Sequence, residues 1–153
     1  MAYEKTNNSA TAINILLVDD DKDDYSIFEE ALQSQVFETC LYRVVDGDNL
    51  MAVLNDEAAT LPDVIFLDIN MPGKNGYDCL LEMKDSKRLE NIPVIIYSTS
   101  YQKDVADVLC DLGANFYIKK PNDFTAVKDV LQKALCYISQ NEDYIPTSAH
   151  FLL

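Results

Sequence analysis

Positive charge is scarce in this chain. Twelve lysines and arginines stand against 26 acids, a formal net charge of −14, and nowhere do the basic residues gather into a stripe. Nucleic acids are held through their phosphates by clustered Lys and Arg, so nucleic-acid binding is excluded as the main activity. The acidity fits a chain that stays soluble and either holds a cation or meets a basic partner surface. The four cysteines (Cys40, Cys79, Cys110, Cys136) are widely spaced, with no C-x-x-C pair and no neighbouring histidine. That excludes zinc and thioredoxin chemistry; each falls in an apolar pattern and is expected to pack as a small hydrophobe. No membrane span or signal peptide is visible, and residues 1–12 are polar. A reducing cytoplasm is the expected setting, without membrane attachment.

What is present is one domain's worth of buried material: 153 residues, 48% hydrophobic and 25% charged. The organising stretch is 63–76, Asp63-Val64-Ile65-Phe66-Leu67-Asp68-Ile69-Asn70-Met71-Pro72-Gly73-Lys74-Asn75-Gly76. Its continuous apolar run is that of a strand buried on both faces. The run stops at an acid, and Pro72-Gly73 and Asn75-Gly76 turn the chain into a helical pattern. An acid at the carboxyl end of a buried parallel strand lies where open α/β sheets place their chemistry.

The rest of the chain repeats this plan. Strands are expected at 13–18, 41–45, 63–68, 92–97 and 115–118, and helices at 23–34, 49–57, 76–87, 102–111 and 123–139. Inward faces are expected to carry Ile27, Phe28, Ala31 and Leu32; Leu50, Val53 and Leu54; Tyr77, Leu80, Leu81 and Lys84; and Val127, Val130, Leu131, Ala134 and Leu135. Gly113 is expected to stop the fourth helix. Residues 1–12 are read as a flexible leader, 13–140 as the folded domain and 141–153 as an irregular tail ending in Phe151-Leu152-Leu153. Alternating strands and helices imply a parallel α/β sheet with right-handed crossovers and helices on both faces. The expected fold is flavodoxin-like (βα)5 with strand order 2-1-3-4-5. That order brings Asp19/Asp20, Asp68, Ser98 and Lys120 to one edge of the sheet.

Four pieces together carry a family pattern: Leu16-Leu17-Val18-Asp19-Asp20, Phe66-Leu67-Asp68-Ile69-Asn70-Met71-Pro72-Gly73, Pro93-Val94-Ile95-Ile96-Tyr97-Ser98, and Gly113-Ala114 through Lys120-Pro121. In their order and spacing residues 13–139 resemble the CheY-like receiver domain of two-component response regulators. The Ser98-Thr99-Ser100 run is most similar to the stand-alone regulators that serve phytochrome-type sensor kinases.

The resemblance implies roles. Asp68 would accept a phosphoryl group from a sensor histidine kinase or a histidine phosphotransfer protein. Asp20, the Asp68 carboxylate and the Asn70 carbonyl would bind Mg²⁺, with Asp19 acting through a water. Two carboxylates ~4 Å apart repel by about 4 kcal/mol at an effective dielectric near ~20, and an added phosphoryl anion deepens the need for a dication. Lys120, preferred over Lys119 because it precedes Pro121, and the Ser98 hydroxyl would bind the phosphoryl oxygens. Tyr117 would be the aromatic switch. Output would pass to a downstream protein over the fourth helix, fifth strand and fifth helix, where a phosphorylation-dependent homodimer is one option.

Some positions stand apart. Asp21 is expected to cap the first helix rather than bind metal, and Thr99 to crowd the mouth of the site where the family often has Ala. The Lys120–Pro121 bond is expected to be cis. His150 lies in the tail, not on a helix bundle, which excludes a histidine phosphotransfer domain. Two alternatives remain: a haloacid-dehalogenase-like Mg²⁺ phosphatase, which would want an acid where Asn70 stands, and a receiver-like binding module that never takes phosphate.

Overall fold

The computed structural model describes residues 12–140 and 150–153. Expectations about residues 1–11 and 141–149 lie outside these. Five strands, β1 (Ile13–Val18), β2 (Thr39–Val44), β3 (Val64–Leu67), β4 (Val94–Ser98) and β5 (Phe116–Lys119), alternate with α1 (Lys22–Gln33), α2 (Gly47–Leu54), α3 (Gly76–Lys84), α4 (Lys103–Asp111) and α5 (Phe124–Gln140). The strands form one parallel sheet in the order β2-β1-β3-β4-β5, as the alternation of apolar runs predicts. β3 is buried along its whole length.

Two apolar clusters cover the two faces of the sheet. On one, Phe28 of α1 meets Phe66 and Tyr97 edge-on, with ring centroids 5.0 and 5.4 Å away, and α5 adds Val127, Leu131 and Leu135. The other holds Leu50, Leu54, Leu80, Met83, Ala106, Leu109 and Tyr117. In α2 and α3 the phase of the buried stripe follows the N-cap. Asp46 accepts from the Asn49 N–H, and Asn75 from the Asp78 N–H, so α2 and α3 begin at Gly47 and Gly76. The buried positions then run i, i+3, i+4, i+7: Gly47, Leu50, Met51, Leu54 and Gly76, Cys79, Leu80, Met83. Val53, Tyr77 and Leu81 fall off these stripes and are exposed, as is Ile27 on α1. This corrects the inward faces expected for these three helices. The α5 stripe is as expected, and Gly113, at φ +104°, follows the end of α4.

The tail joins the fold where it is described. Leu152 pairs with Tyr117 in a parallel bridge, and Phe151 is buried; an aromatic-aliphatic run beside an open strand edge finds both backbone and apolar partners there.

Gly76 fixes how the chain leaves the β3 edge. A Cβ there would stand 2.6 Å from the Asp68 carbonyl oxygen and 2.8 Å from the Ile69 Cα, both backbone atoms with little room to yield. Gly76→Ala is expected to lower folding stability by about 1–3 kcal/mol, measured by urea denaturation.

Candidate functional site: an acidic edge held by one lysine

The sheet's own hydrogen bonds carry the functional residues to its edge. The Asp19 N–H donates to Val44 C=O at 3.0 Å, the Asp68 N–H to Val18 C=O at 3.1 Å, and the Lys120 N–H to Ser98 C=O at 2.7 Å. Each residue therefore continues its strand's ladder for one more bond before the chain turns. Asp19 is fully buried, Asp68 nearly so, Ser98 fully, and Asp20 is exposed. One oxygen from each of Asp19, Asp20 and Asp68 lies within 4.8 Å of the others.

Lys120 holds this edge together. Its Nζ donates to Asp19 Oδ2 at 2.7 Å, Asp24 Oδ2 at 2.8 Å and Asp68 Oδ2 at 3.3 Å. The ammonium also lies 5.4 Å from the centre of the Tyr97 ring. Burial alone would pull the lysine's pKa down. The hydrogen bonds to Asp19 and Asp24 and the charges of Asp68 and Asp19 outweigh it and hold the pKa above the usual lysine value. Asp68 shifts the other way for a carboxylate: burial raises its pKa, and Asp19 adds to that. The Asn70 N–H and Lys120 oppose the rise only in part. An added positive charge beside Asp68 would favour its ionised form.

The remaining expected residues converge here. The Asn70 N–H donates to Asp68 Oδ1 at 2.9 Å, and its side-chain amide donates to Ser98 Oγ at 3.2 Å and Ser100 Oγ at 3.0 Å. Tyr117 is fully buried and its hydroxyl donates to the Ser100 carbonyl. Lys119 is exposed on β5, so Lys120 is the lysine at the acids. Asp21 accepts from the Asp23 and Asp24 N–H groups as the N-cap of α1. Thr99 is exposed in the loop before α4, four residues short of the helix at Lys103.

One expectation fails. Among the described residues no peptide bond is cis, so Lys120–Pro121 is trans. The trans form is the lower-energy one for X-Pro by about 0.5–1 kcal/mol, and the lysine already reaches all three carboxylates from its place after β5.

Two residues of the site were not singled out from sequence. Asp24 reads as an ordinary first-turn acid, yet one turn into α1 it meets Lys120. Arg43 reads as a strand residue, but its Nε and one terminal nitrogen donate to the Asp19 and Asp20 carbonyls, both at 3.2 Å. Its guanidinium lies over the Tyr25 ring, 5.3 Å from the centre. The available signal was Arg43's place near the carboxyl end of β2, the edge at which Asp19 and Asp20 follow β1.

An α/β sheet whose edge brings three carboxylates, a hydroxyl and a buried lysine to one point is compatible with a metal ion and an aspartyl phosphate. Residues 15–132 match the response regulator receiver domain model, and the chain belongs to that family. It is 32% identical over 122 residues to the response regulator Rcp1 of Synechocystis sp., a match covering 77% of this chain and 83% of Rcp1. Its fold superposes on the crystal structure of the phosphorylated cyanobacterial phytochrome response regulator RcpA with a TM-score of 0.79. That match is at 31% identity and covers 90% of this chain and all of RcpA's. The crystal structure of the Mn²⁺-bound form of Rcp1 superposes with a TM-score of 0.75 at 29% identity, covering 88% of this chain and 99% of that one. Family membership makes this a signalling domain of two-component systems, and the haloacid-dehalogenase alternative is not favoured.

The raised Asp68 pKa sets a pH-dependent stability. The folded chain holds the Asp68 proton more tightly than the unfolded chain does. That contribution is present in full below the ordinary aspartate pKa and is lost as pH rises through the folded value. At pH 7 without metal, Asp68→Asn is therefore expected to raise the melting temperature. Thermal scans between pH 4 and pH 7 should show the gain shrinking toward the acid end.

Proposed function

We propose that Asp68 accepts a phosphoryl group from the phosphohistidine of a sensor kinase or phosphotransfer protein, and that the phosphorylated chain signals by binding another protein. The observation that carries this is the Asp68 carboxylate at the end of β3, 3.3 Å from Lys120 Nζ and grouped with Asp19 and Asp20. One Asp68 oxygen attacks phosphorus; the P–N bond breaks as the O–P bond forms, and the imidazole nitrogen leaves with the electron pair and takes up a proton. Lys120 then exchanges a carboxylate partner for a phosphoryl oxygen, and Ser98 turns its hydroxyl to a second one.

The carboxylate set fits a hard divalent cation with few protein ligands. Asp20, Asp68 and the Asn70 carbonyl would hold Mg²⁺, with Asp19 reached through water. The ion supplies neutralising charge for the phosphoryl oxygens. That a relative, Rcp1, has a Mn²⁺-bound form supports divalent-metal binding.

Asn70 links Asp68 to Ser98, and Ser100 links both to Tyr117. A change at Asp68 therefore has a hydrogen-bonded route to β5. A coupling of ~1–3 kcal/mol is typical of such routes, so phosphorylation would shift a population that a partner, or a second copy docked on α4, β5 and α5, completes. The similarity to Rcp1 and RcpA makes a phytochrome-type kinase the expected donor. Among the described residues no helix is long and apolar enough to cross a membrane, and the cytoplasm is the proposed setting.

Intact-mass measurement after treatment with acetyl phosphate and Mg²⁺ tests the reading. Wild type should gain one phosphoryl group and Asp68→Asn none; a normal adduct on the variant sinks the assignment. Asp20→Asn should weaken Mg²⁺ binding in calorimetry by about tenfold or more, as loss of a charged ligand does.

A further inference from the structure

β5 is the last strand of the sheet, and a bare edge offers unpaired N–H and C=O groups to any extended segment. Here the chain's own 151–153 segment takes that edge. The Tyr117 N–H donates to Phe151 C=O, and the Leu153 N–H to Tyr117 C=O, both at 2.9 Å. Side chains of this segment reach both faces of the sheet. Phe151 is 2% exposed in the cluster that contains Tyr117, Ala106 and Leu109, while Leu153 packs against the cluster on the α1/α5 face. Leu152 remains half exposed.

The residue gripped this way is the proposed switch. Tyr117 is fully buried, its ring 5.2 Å from Tyr101 and 6.1 Å from Phe151, both edge-on, and its hydroxyl is bound to the Ser100 carbonyl. The Phe151 ring thus stands beside the Tyr117 ring at the strand edge that the 151–153 segment occupies.

We propose that the β5 edge beside Tyr117 is a strand-docking surface whose occupant is the chain's own 151–153 segment, and that docking latches the Tyr117 ring inward. The latch rests on the reading of Asp68 as phosphoacceptor, because the inward ring leaves the Ser98 and Ser100 hydroxyls arranged around Asn70 and Asp68. Docked segment and phosphorylated Asp68 then favour the same state. Linkage makes this reciprocal: phosphorylation tightens docking, and loss of docking weakens the phosphorylated form by the same factor. Backbone pairing supplies the affinity and the Phe151 pocket the specificity, as in strand-addition recognition generally.

Full-length point variants test this. Phe151→Ala removes the ring, Leu153→Pro removes the N–H given to Tyr117, and Leu152→Ala trims a half-exposed side chain as a control. Two quantities are measured: amide hydrogen exchange at Tyr117, and the affinity for beryllofluoride, a phosphoryl mimic, in the presence of Mg²⁺. Phe151→Ala and Leu153→Pro should speed Tyr117 exchange and weaken beryllofluoride binding by about fivefold or more, the scale of ordinary coupling. Leu152→Ala should leave both close to wild type, and beryllofluoride should slow exchange at Tyr117 and Leu153. Unchanged Tyr117 exchange in both variants overturns the docking. Faster exchange with unchanged beryllofluoride affinity overturns the latch. Protection that grows with protein concentration overturns it too, by making a second copy the occupant. Failure of wild type to bind beryllofluoride overturns the Asp68 reading itself, a result distinct from equal binding by all variants.

Discussion

The Lys120 ammonium, bonded at once to Asp19, Asp24 and Asp68, is the interaction the rest of the edge depends on. Adjacent carboxylates at these separations repel by several kcal/mol even at an effective dielectric near ~20, and Asp19 is fully buried. Removing the lysine would leave buried charge uncompensated, the costly way to break such a cluster, at about 3–5 kcal/mol. Three carboxylates on one ammonium leave negative charge in excess at this edge. On the proposed reading a divalent ion would answer that excess, and the lysine would be the member that changes partners when a phosphoryl group arrives.

Around this balance the structure separates what is fixed from what can move. Asp19, Asp68 and Lys120 are fixed by ladder bonds. Arg43 ties the Asp19 and Asp20 carbonyls to β2, so the acidic loop is anchored from the neighbouring strand as well as from its own. Ser98, Asn70, Ser100 and Tyr117 instead meet through side-chain hydrogen bonds, which rearrange at the cost of rotamers rather than of the fold. On the proposed reading, chemistry sits on the rigid part and the signal on the soft part.

The sheet and the main acids were legible in the sequence because parallel strands buried on both faces leave continuous apolar runs, and each run stops at the edge where chemistry lies. Residues 63–68 show this directly: the apolar run alone marks the strand and the acid that ends it. Helix faces were less legible. Val53, Tyr77 and Leu81 look as apolar as their buried neighbours, and only the register set by Asp46 and Asn75 tells them apart. Asp24 and Arg43 escaped notice because their partners are far away in sequence. The 151–153 pairing escaped because three apolar residues carry no period. The cis bond before Pro121 was an over-reading: proline permits that geometry, and the lysine's reach does not require it.

The central claim is that Lys120 trades a carboxylate for the phosphoryl group on Asp68. A crystal structure with Mg²⁺ and beryllofluoride on Asp68 tests it most directly. The account predicts Lys120 Nζ within hydrogen-bonding distance of a fluorine, about 3 Å, with its bond to Asp19 or Asp24 broken. A lysine still bonded to Asp19 and Asp24, with the fluorines met by other groups, would contradict it.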